Sequence, residues 1–336
     1  MRSSPRPYDG KSVWCQAPEL PQPESFLGMA AIVVSAPMRE LMARVEQVAR
    51  TDAAILITGE SGTGKEVVAR AVHHYSLRCA QPWVDVSCAA LPDHLLESEL
   101  FGYERGAFSG ADSRKQGLFE LADRGSLFLD EVAELEPRMQ VKLLRVLDGV
   151  PFYRLGGTRK VSVDARIIAA TNCDLDRAMQ EGRFRRDLYH RLSQVHFKVP
   201  PLRERAADIV PLAEYFLHQH KGGLSFSAAA LEALRAHCWP GNVRELRNVV
   251  MRCAALARNS IIDAPELELP LPERRAPPHV VTGTVDDMER RLILDALAQT
   301  KGHQQRAADI LGISRRTLHR KLKSYEQESA NLSAAG

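Results

Sequence analysis

The stretch "ILITGESGTGKE" limits what this chain can fold into more than any other part of it. Gly59 is followed by Glu60, Ser61, Gly62 and Thr63, and then by Gly64-Lys65, with an apolar run in front and a helical pattern behind. A strand, a glycine-rich turn and a helix in that order make a loop whose backbone N–H groups wrap phosphates. The N-terminus of the helix adds partial positive charge, and Lys65 is the point charge for the β- and γ-phosphates. A glycine-rich turn without a nucleotide is the plainer alternative, and the strand-loop-helix context favours phosphate binding. The hydroxyl residue that usually follows the lysine and holds Mg²⁺ is here Glu66.

Short apolar runs recur along the chain: "AAILIT" at 53–58, "WVDVS" at 83–87, "SLFL" at 126–129, "ARIIAAT" at 165–171 and "VHFKV" at 195–199. Each reads as a buried strand, and helical patterns separate most of them. Met38, Leu41, Met42, Val45, Val48 and Ala49 give one such helix before the loop. Alternation of this kind predicts an α/β fold, a parallel sheet with helices on both faces. "GSLFLDEV" ends a strand in Asp130-Glu131. A carboxylate there can hold Mg²⁺ through water while its neighbour orients the attacking water. Together with the phosphate loop, it makes nucleotide hydrolysis the leading reading.

After "PPLRER" at 200–205 the pattern turns helical to about Ala257, which predicts a smaller all-helical subdomain. The proline-rich segment 265–284 reads as a linker, and a short helical block from Val285 to Tyr325 follows it. The expected divisions are an arm over 1–26, an α/β subdomain over 27–200, a helical subdomain over 201–264, the linker over 265–284, a short helical module over 285–326 and a tail over 327–336. The net charge of +3 excludes a polycation, so nucleic-acid contact must come from local clustering. No secretory signal and no membrane span is expected. The six cysteines are scattered without a C-x-x-C pair. Reduced thiols and a cytoplasmic location are expected.

Several motifs stand in one order: "GESGTGKE", "ELFGYERGAFSGA", "GSLFLDEV", "ATN", "FRRDLYHRL", "PPLRER" and "WPGNVRELRN". In this the chain resembles the bacterial enhancer-binding proteins, AAA+ ATPases that activate sigma-54 RNA polymerase. The resemblance covers about residues 27 to 265 and resumes at the C-terminal block. In that family a glutamate normally follows the loop lysine, so Glu66 fits. The resemblance implies ATP and Mg²⁺ as cofactors. Gly59 to Glu66 would bind ATP, Asp130 would hold Mg²⁺ through water, and Glu131 would polarise water. Asn172 would sense the γ-phosphate, and Arg244 would be the second sensor, on the lid. Arg185 and Arg191 would be arginine fingers reaching a neighbouring subunit's nucleotide in a ring, a hexamer. The plainer reading of these arginines is surface salt bridging. Ser87 stands where the family often has an asparagine that restrains the catalytic glutamate; its hydroxyl has a shorter reach.

The most specific element is the loop Gly106, Ala107, Phe108, Ser109, Gly110, Ala111, with Ser109 in place of the usual threonine. The resemblance implies that such loops grip the sigma factor. Taken alone, Phe108 could equally tuck under a turn. "VPFYRLGGTRKVSVDARI" looks like the family's hairpin before the first sensor strand, with Arg154 and Gly156-Gly157 at its turn. The C-terminal block resembles a Fis-type helix-turn-helix. Ala307, Ala308, Leu311 and Ile313 form its packed side, and Gly312 is its bend. Ser314 is a cap, and Leu318 and Leu322 face inward. Ser314, Arg315, Arg316, Thr317, His319, Arg320 and Lys323 are the expected contacts to double-stranded DNA at upstream sites. A basic solvated helix is the plainer alternative. Met288, Leu292, Leu294 and Leu297 suggest a preceding helix that dimerises the module.

The expected function is a sigma-54-dependent activator that binds upstream DNA and uses ATP to open the polymerase complex. The alternative is a DNA-binding regulator of the same ancestry without the motor; a replication initiator or loader is argued against by the loop. The 26 residues ahead of the ATPase leave no room for a receiver domain. Control is therefore expected from a partner protein in trans, from expression level or from the arm.

Overall fold

The computed structural model describes residues 23–220, 223–269, 293, 296–297, 300 and 303–334. The chain separates into two compact units, Met1–Pro270 and Leu271–Gly336.

The first unit opens with a hairpin, β1 (Glu24–Phe26) and β2 (Met29–Ala31), turned by Leu27 and Gly28 at positive φ. Phe26 is 2 % exposed and meets the edges of His74 and Tyr75. The arm expected over 1–26 therefore ends earlier than its composition suggests, because the turn returns the chain and buries that ring. Residues 1–22, with Cys15, lie outside the described residues.

Next come α1 (Ala36–Ala49), β3 (Ile55–Thr58), α2 (Lys65–His74), β4 (Trp83–Ser87), α3 (Asp93–Phe101), α4 (Leu118–Leu121) and β5 (Ser126–Asp130). They are followed by α5 (Pro137–Leu147), β6 (Phe152–Tyr153), β7 (Lys160–Val161), β8 (Arg166–Thr171), α6 (Leu175–Gln180), α7 (Arg186–Leu192) and β9 (Val195–Lys198). All five apolar runs join one parallel sheet in the order β4-β5-β8-β3-β9. One hydrophobic core lies on each face, one containing Leu127, Leu129, Ile167 and Ala169, the other Ile55, Ile57, Phe128, Ile168 and Phe197. This is the doubly covered α/β sheet that the alternation predicts.

Register fixes where the chemistry goes. Thr58 pairs with Thr171, and Ser87 with Asp130. The segments after β3, β5 and β8 therefore leave the sheet along one edge, which brings Gly59, Glu131 and Asn172 together. At the other end Arg166 is 3 % exposed and donates to the carbonyls of Ala49 (2.5 Å) and Ala53 (3.3 Å). Burial pulls its guanidinium down to about 10. It closes the C-terminus of α1, where the helix dipole favours a cation.

The lid starts with two short 3₁₀ turns, Leu202–Glu204 and Ala206–Asp208. It continues through α8 (Ile209–His220), β10 (Ser225–Phe226), α9 (Ala228–Ala236), α10 (Asn242–Leu256) and β11 (Ile261–Ile262). Its core surrounds Trp239, whose indole N–H donates to the Leu234 carbonyl at 2.9 Å. The lid is not all-helical: β10 and β11 pair in parallel, which ties the chain beyond α10 back beneath α9. The linker also begins later than expected, since a further 3₁₀ turn, Ala264–Leu267, places Leu267 fully in the lid core.

In the second unit α11 (Gln304–Ile310) and α12 (Arg315–Ala334) flank a turn at Gly312, φ 66°. Ala307, Ala308 and Leu318 are fully buried against Ile293 and Ala296, and Leu311, Ile313 and Leu322 pack on this core. α12 runs to Ala334, beyond the boundary expected at 326. Ile293, Ala296 and Leu297 are helical; Met288, Leu292 and Leu294 lie outside the described residues. Among the described residues no helix is long and apolar enough to cross a membrane.

Candidate nucleotide site and partner loop

A cavity of about 390 Å³ lies between the sheet edge, the β1–β2 hairpin and the lid. Ser61 to Val67 form its floor, with Asp130 and Glu131 at one end. Lys65 is 7 % exposed, and its Nζ donates to the carbonyls of Gly59 (3.0 Å) and Glu60 (3.4 Å) and stands 3.9 Å from Glu131 Oε1. Burial pulls the Lys65 ammonium below its ordinary pKa, while Glu131 and Asp130 oppose that shift. Burial, followed by the neighbouring Glu131, raises the carboxyl of Asp130 above its ordinary value. Two adjacent carboxylates in a partly buried site are hard oxygen donors, and Lys65 alone balances only one of their charges. The set fits a divalent cation such as Mg²⁺.

Glu131 takes the left-handed conformation, φ 53°. Its N–H donates to Asp130 Oδ1 at 3.0 Å. Its Oε2 accepts from the backbone N–H of Asn172 at 3.1 Å. Asn172 thus meets Glu131 through its backbone, and its side chain is exposed and off the cavity wall. Ser87 stands in register with Asp130, and among the described residues its hydroxyl makes no hydrogen bond to Glu131.

The lid closes on the loop at close range. A Cβ on Gly62, φ 76°, would lie 2.5 Å from the Gly241 carbonyl, so only glycine fits there. The Gly62 carbonyl accepts from Val243 N–H, and Arg244 donates to Ser61 Oγ at 2.7 Å. Arg244 therefore reaches the loop as expected for a lid arginine.

The Glu60 side chain does not line the cavity and turns to the lid instead. It accepts two bonds from Arg203, at 2.6 and 2.8 Å, and one from Asn242 Nδ2 at 3.1 Å. The Arg203 bond, with the Asn242 bond behind it, holds its carboxyl down at about 2. A carboxylate turned inward would oppose a triphosphate, and here it latches the loop to the lid. Glu66 lines the cavity and pairs with Arg70 at 2.8 Å.

Sequence reasoning missed Arg203, Arg205, Asp208 and Asn242. Arg205 is 5 % exposed, lines the cavity and donates to the Thr63 carbonyl at 2.5 Å. Asp208 is fully buried and accepts from Val34 N–H, Ser35 N–H and Ser35 Oγ at 2.7–2.8 Å. For the first three, the dense charges of "PPLRERAAD" directly after the last strand of the five-stranded sheet were the available signal.

Arg185 pairs with Asp187 through two bonds, at 2.6 and 3.0 Å. Arg191 donates to the Leu147 carbonyl at 2.9 Å and lies 3.2 Å from Asp148. Both are exposed, and neither lines the cavity of its own chain.

The Gly106–Ala111 loop is closed by Gly106 N–H to Ala111 O at 2.9 Å and Ala111 N–H to Phe108 O at 3.0 Å. Gly106 and Gly110 take φ 82° and 99°, which side chains resist. Phe108 is 45 % exposed and meets the edge of Tyr103, at 4.9 Å between ring centroids, so it does not tuck into the core. Beneath the loop Arg154 is 6 % exposed and bridges Glu120 and Glu104, with its contacts at 2.5–2.7 Å. β6 and β7 form the expected hairpin, and a Cβ on Gly156 would meet Ala107 at 2.9 Å.

In the second unit Ser314 Oγ accepts from Thr317 N–H at 3.1 Å and lies 2.7 Å from the Thr317 hydroxyl, so Thr317 is engaged in the cap. Arg315, Arg316, His319, Arg320 and Lys323 are exposed along the first turns of α12. That is a basic helix face with a capped N-terminus, standing free of its own core.

A phosphate loop, a strand-end acidic pair and a helical lid on a parallel sheet define an AAA+ P-loop nucleotide-binding protein, here with a helix-turn-helix unit. The family described as the Sigma-54 interaction domain matches residues 31–198. The AAA+ ATPase lid domain matches 203–282, and the Fis family of bacterial regulatory proteins matches 284–325. The chain is 45 % identical over 311 residues to the transcriptional regulatory protein FlbD of Caulobacter vibrioides, covering 86 % of this chain and 68 % of that protein. It is 44 % identical over 297 residues to the Nif-specific regulatory protein of Azotobacter vinelandii, covering 84 % and 56 %. The structure of NtrX from Brucella abortus in complex with ATP matches with a TM-score of 0.65 and 39 % identity, covering 88 % of this chain and 68 % of that one. The NtrX complex with ADP matches at 0.66 and 38 %, with the same coverage. The chain belongs to the sigma-54-dependent transcriptional activators, with an AAA+ domain and a DNA-binding helix-turn-helix. It spans 56–68 % of the length of the two relatives named.

Proposed function

We propose that this chain binds upstream DNA and hydrolyses ATP in a ring, a hexamer, to remodel the sigma-54 polymerase closed complex into the open one. The observation that carries the reading is Phe108, held out on a closed loop over a salt-bridged base, in a chain that also has a phosphate loop and a strand-end acidic pair on one cavity. Core packing does not account for this side chain, which is 45 % exposed and meets the edge of Tyr103.

The chemistry follows from the residues. The loop 59–66 receives the triphosphate through its N–H groups, with Lys65 as the charge on the β- and γ-phosphates. Asp130 would hold Mg²⁺ through water, and the ion would supply positive charge against the triphosphate. Glu131 accepts the proton of the attacking water, and the Asn172 N–H keeps its other oxygen fixed. Arg244 carries the lid to the phosphates. Arg185 and Arg191 face outward and serve a neighbouring chain, where a finger is worth about 10³–10⁵ in rate. The link from Asn172 to Glu131 joins the γ-phosphate region to the strand that ends beside it. Loss of the phosphate shifts this element and withdraws the Phe108 loop.

Arg315, Arg316, His319, Arg320 and Lys323 read the major groove, with Ser314 and Thr317 fixing the helix start. In-vitro transcription from a sigma-54 promoter tests the whole reading. Open complexes should need hydrolysable ATP, and Phe108→Ala should keep hydrolysis but lose sigma-54 binding. Opening without ATP would support the motorless regulator instead, and retained binding by the variant would reject the role of the loop.

A further inference from the structure

The lining of the cavity assigns its two ends to different parts of a nucleotide. α10 begins at the phosphate loop, where Val243 N–H meets the Gly62 carbonyl and Arg244 meets Ser61 Oγ. It then runs away from the loop and keeps one face on the cavity, Arg244, Arg247 and Asn248. These stand at i, i+3 and i+4, one stripe of a helix. Four residues of helix advance about 6 Å, so Asn248 lies one turn beyond the phosphate contact. Opposite, α8 presents Leu212, Tyr215 and Phe216, and the β2 segment presents Ile32 and Val33. That apolar slot suits the flat face of a base.

A sugar joins base to phosphate, so in a nucleotide bound this way it would lie between the charged floor and the apolar slot. Asn248 is the uncharged polar side chain on the α10 stripe. It is exposed to the cavity, and among the described residues its amide makes no hydrogen bond. The Tyr215 hydroxyl, by contrast, is taken by Gln219 at 2.5 Å, and the Arg244 guanidinium by Ser61. A carboxamide carries one acceptor oxygen and a two-proton donor. Vicinal hydroxyls offer a donor and an acceptor at matching separation. A cation at that position would draw the phosphates instead, and a hydrocarbon would make no polar contact.

We propose that Asn248 reads the ribose of the bound nucleotide and sets preference for ribonucleotides over 2′-deoxyribonucleotides. The inference rests on the nucleotide reading above and deepens it. The amide oxygen accepts from the 2′-hydroxyl, and the NH₂ donates to the 3′-oxygen. The base is then selected elsewhere, by the slot of Ile32, Leu212, Tyr215 and Phe216.

Isothermal titration calorimetry of the full chain with ADP, 2′-deoxy-ADP and GDP tests this without hydrolysis. The unsubstituted protein should bind ADP about three- to tenfold more tightly than 2′-deoxy-ADP, the worth of one net hydrogen bond. Asn248→Ala and Asn248→Leu, which remove the amide with and without loss of volume, should both bring that ratio near one. Both should leave the ADP-to-GDP ratio unchanged. A deoxy ratio that stays at the wild-type value in the two variants overturns the assignment. So does collapse of the ADP-to-GDP ratio in its place, which would put the amide on the base edge. Absence of a deoxy preference in the unsubstituted protein overturns it as well. If that protein binds no ADP at all, the nucleotide reading fails first and this one falls with it.

Discussion

His73 sits fully buried under the ring of Trp83, with Nδ1 2.9 Å from the Ser126 hydroxyl and no partner at Nε2. Burial, the largest cause, lowers its pKa below the ordinary 6.5. The folded chain therefore keeps His73 neutral where the unfolded chain has begun to take up a proton. Stability from this group is complete above about pH 6.5 and is lost as pH falls toward the lower folded value. The slope from one such group reaches at most about 1.4 kcal/mol per pH unit. Thermal melts between pH 7.5 and 5 should show a falling midpoint, and His73→Gln should flatten that part of the curve. An identical slope in the variant would assign it to other groups. Glu131 offers a second residue-level test. Its carboxylate is held by the Asn172 N–H and lies beside Lys65, so Glu131→Gln changes charge and basicity with little change in shape. Hydrolysis should fall by about 10²–10⁴, the usual worth of a general base, while calorimetric nucleotide binding is kept.

The loop, the hairpin and α4 form one braced element. Arg154 lies at its centre, since Glu104 belongs to the stalk and Glu120 to α4. Removing the cation strands Glu120, which is 10 % exposed, beside the apolar core. Breaking a buried pair from one side costs about 3–5 kcal/mol. Arg154→Ala should lower the unfolding free energy on that scale by denaturant titration and weaken sigma-54 capture more than it weakens hydrolysis. A variant with unchanged capture would mean that the stalk needs no brace. The same element marks the limit of what the sequence discloses. The five strands were legible because each is a short apolar run, and the phosphate loop and acidic pair because their spacing is local. The outward position of Phe108 needed the resemblance, since small flanking residues fit a tucked ring equally well. Arg203, Arg205 and Asp208 were not legible as loop partners, because their contacts join Glu60, Thr63 and Ser35 across more than 140 positions of sequence separation. Arg166 was hidden for a related reason: a charge at the head of an apolar strand finds its acceptors only once α1 lies above it. Periodicity reports the face a residue occupies and carries no record of a distant partner.

At the scale of the whole molecule, one chain lines the cavity with its loop, acidic pair and lid but keeps two exposed arginines away from it. Arg185 and Arg191 are tied to Asp187 and to the end of α5, on the outer surface of the sheet unit. If they act only across a seam, one chain supplies Glu131 and its neighbour supplies the arginines. Hydrolysis per chain should then rise with concentration and vanish on dilution to monomer. Two inactive variants separate this from a simple folding requirement. Arg185→Ala keeps a sound cavity and lacks a finger, whereas Glu131→Gln keeps its finger and lacks a working cavity. Each alone should hydrolyse ATP slowly. Mixed in equal amounts, they should regain activity, because some seams then pair an intact cavity with an intact finger. Random assembly places that pairing at about one seam in four, so phosphate release should approach about a quarter of the unsubstituted rate at saturation. Recovery needs no new contact within either chain, so fingers acting within their own chain predict none. A mixture as slow as its components, with ring formation verified by light scattering, would show that the arginines do not serve a neighbour.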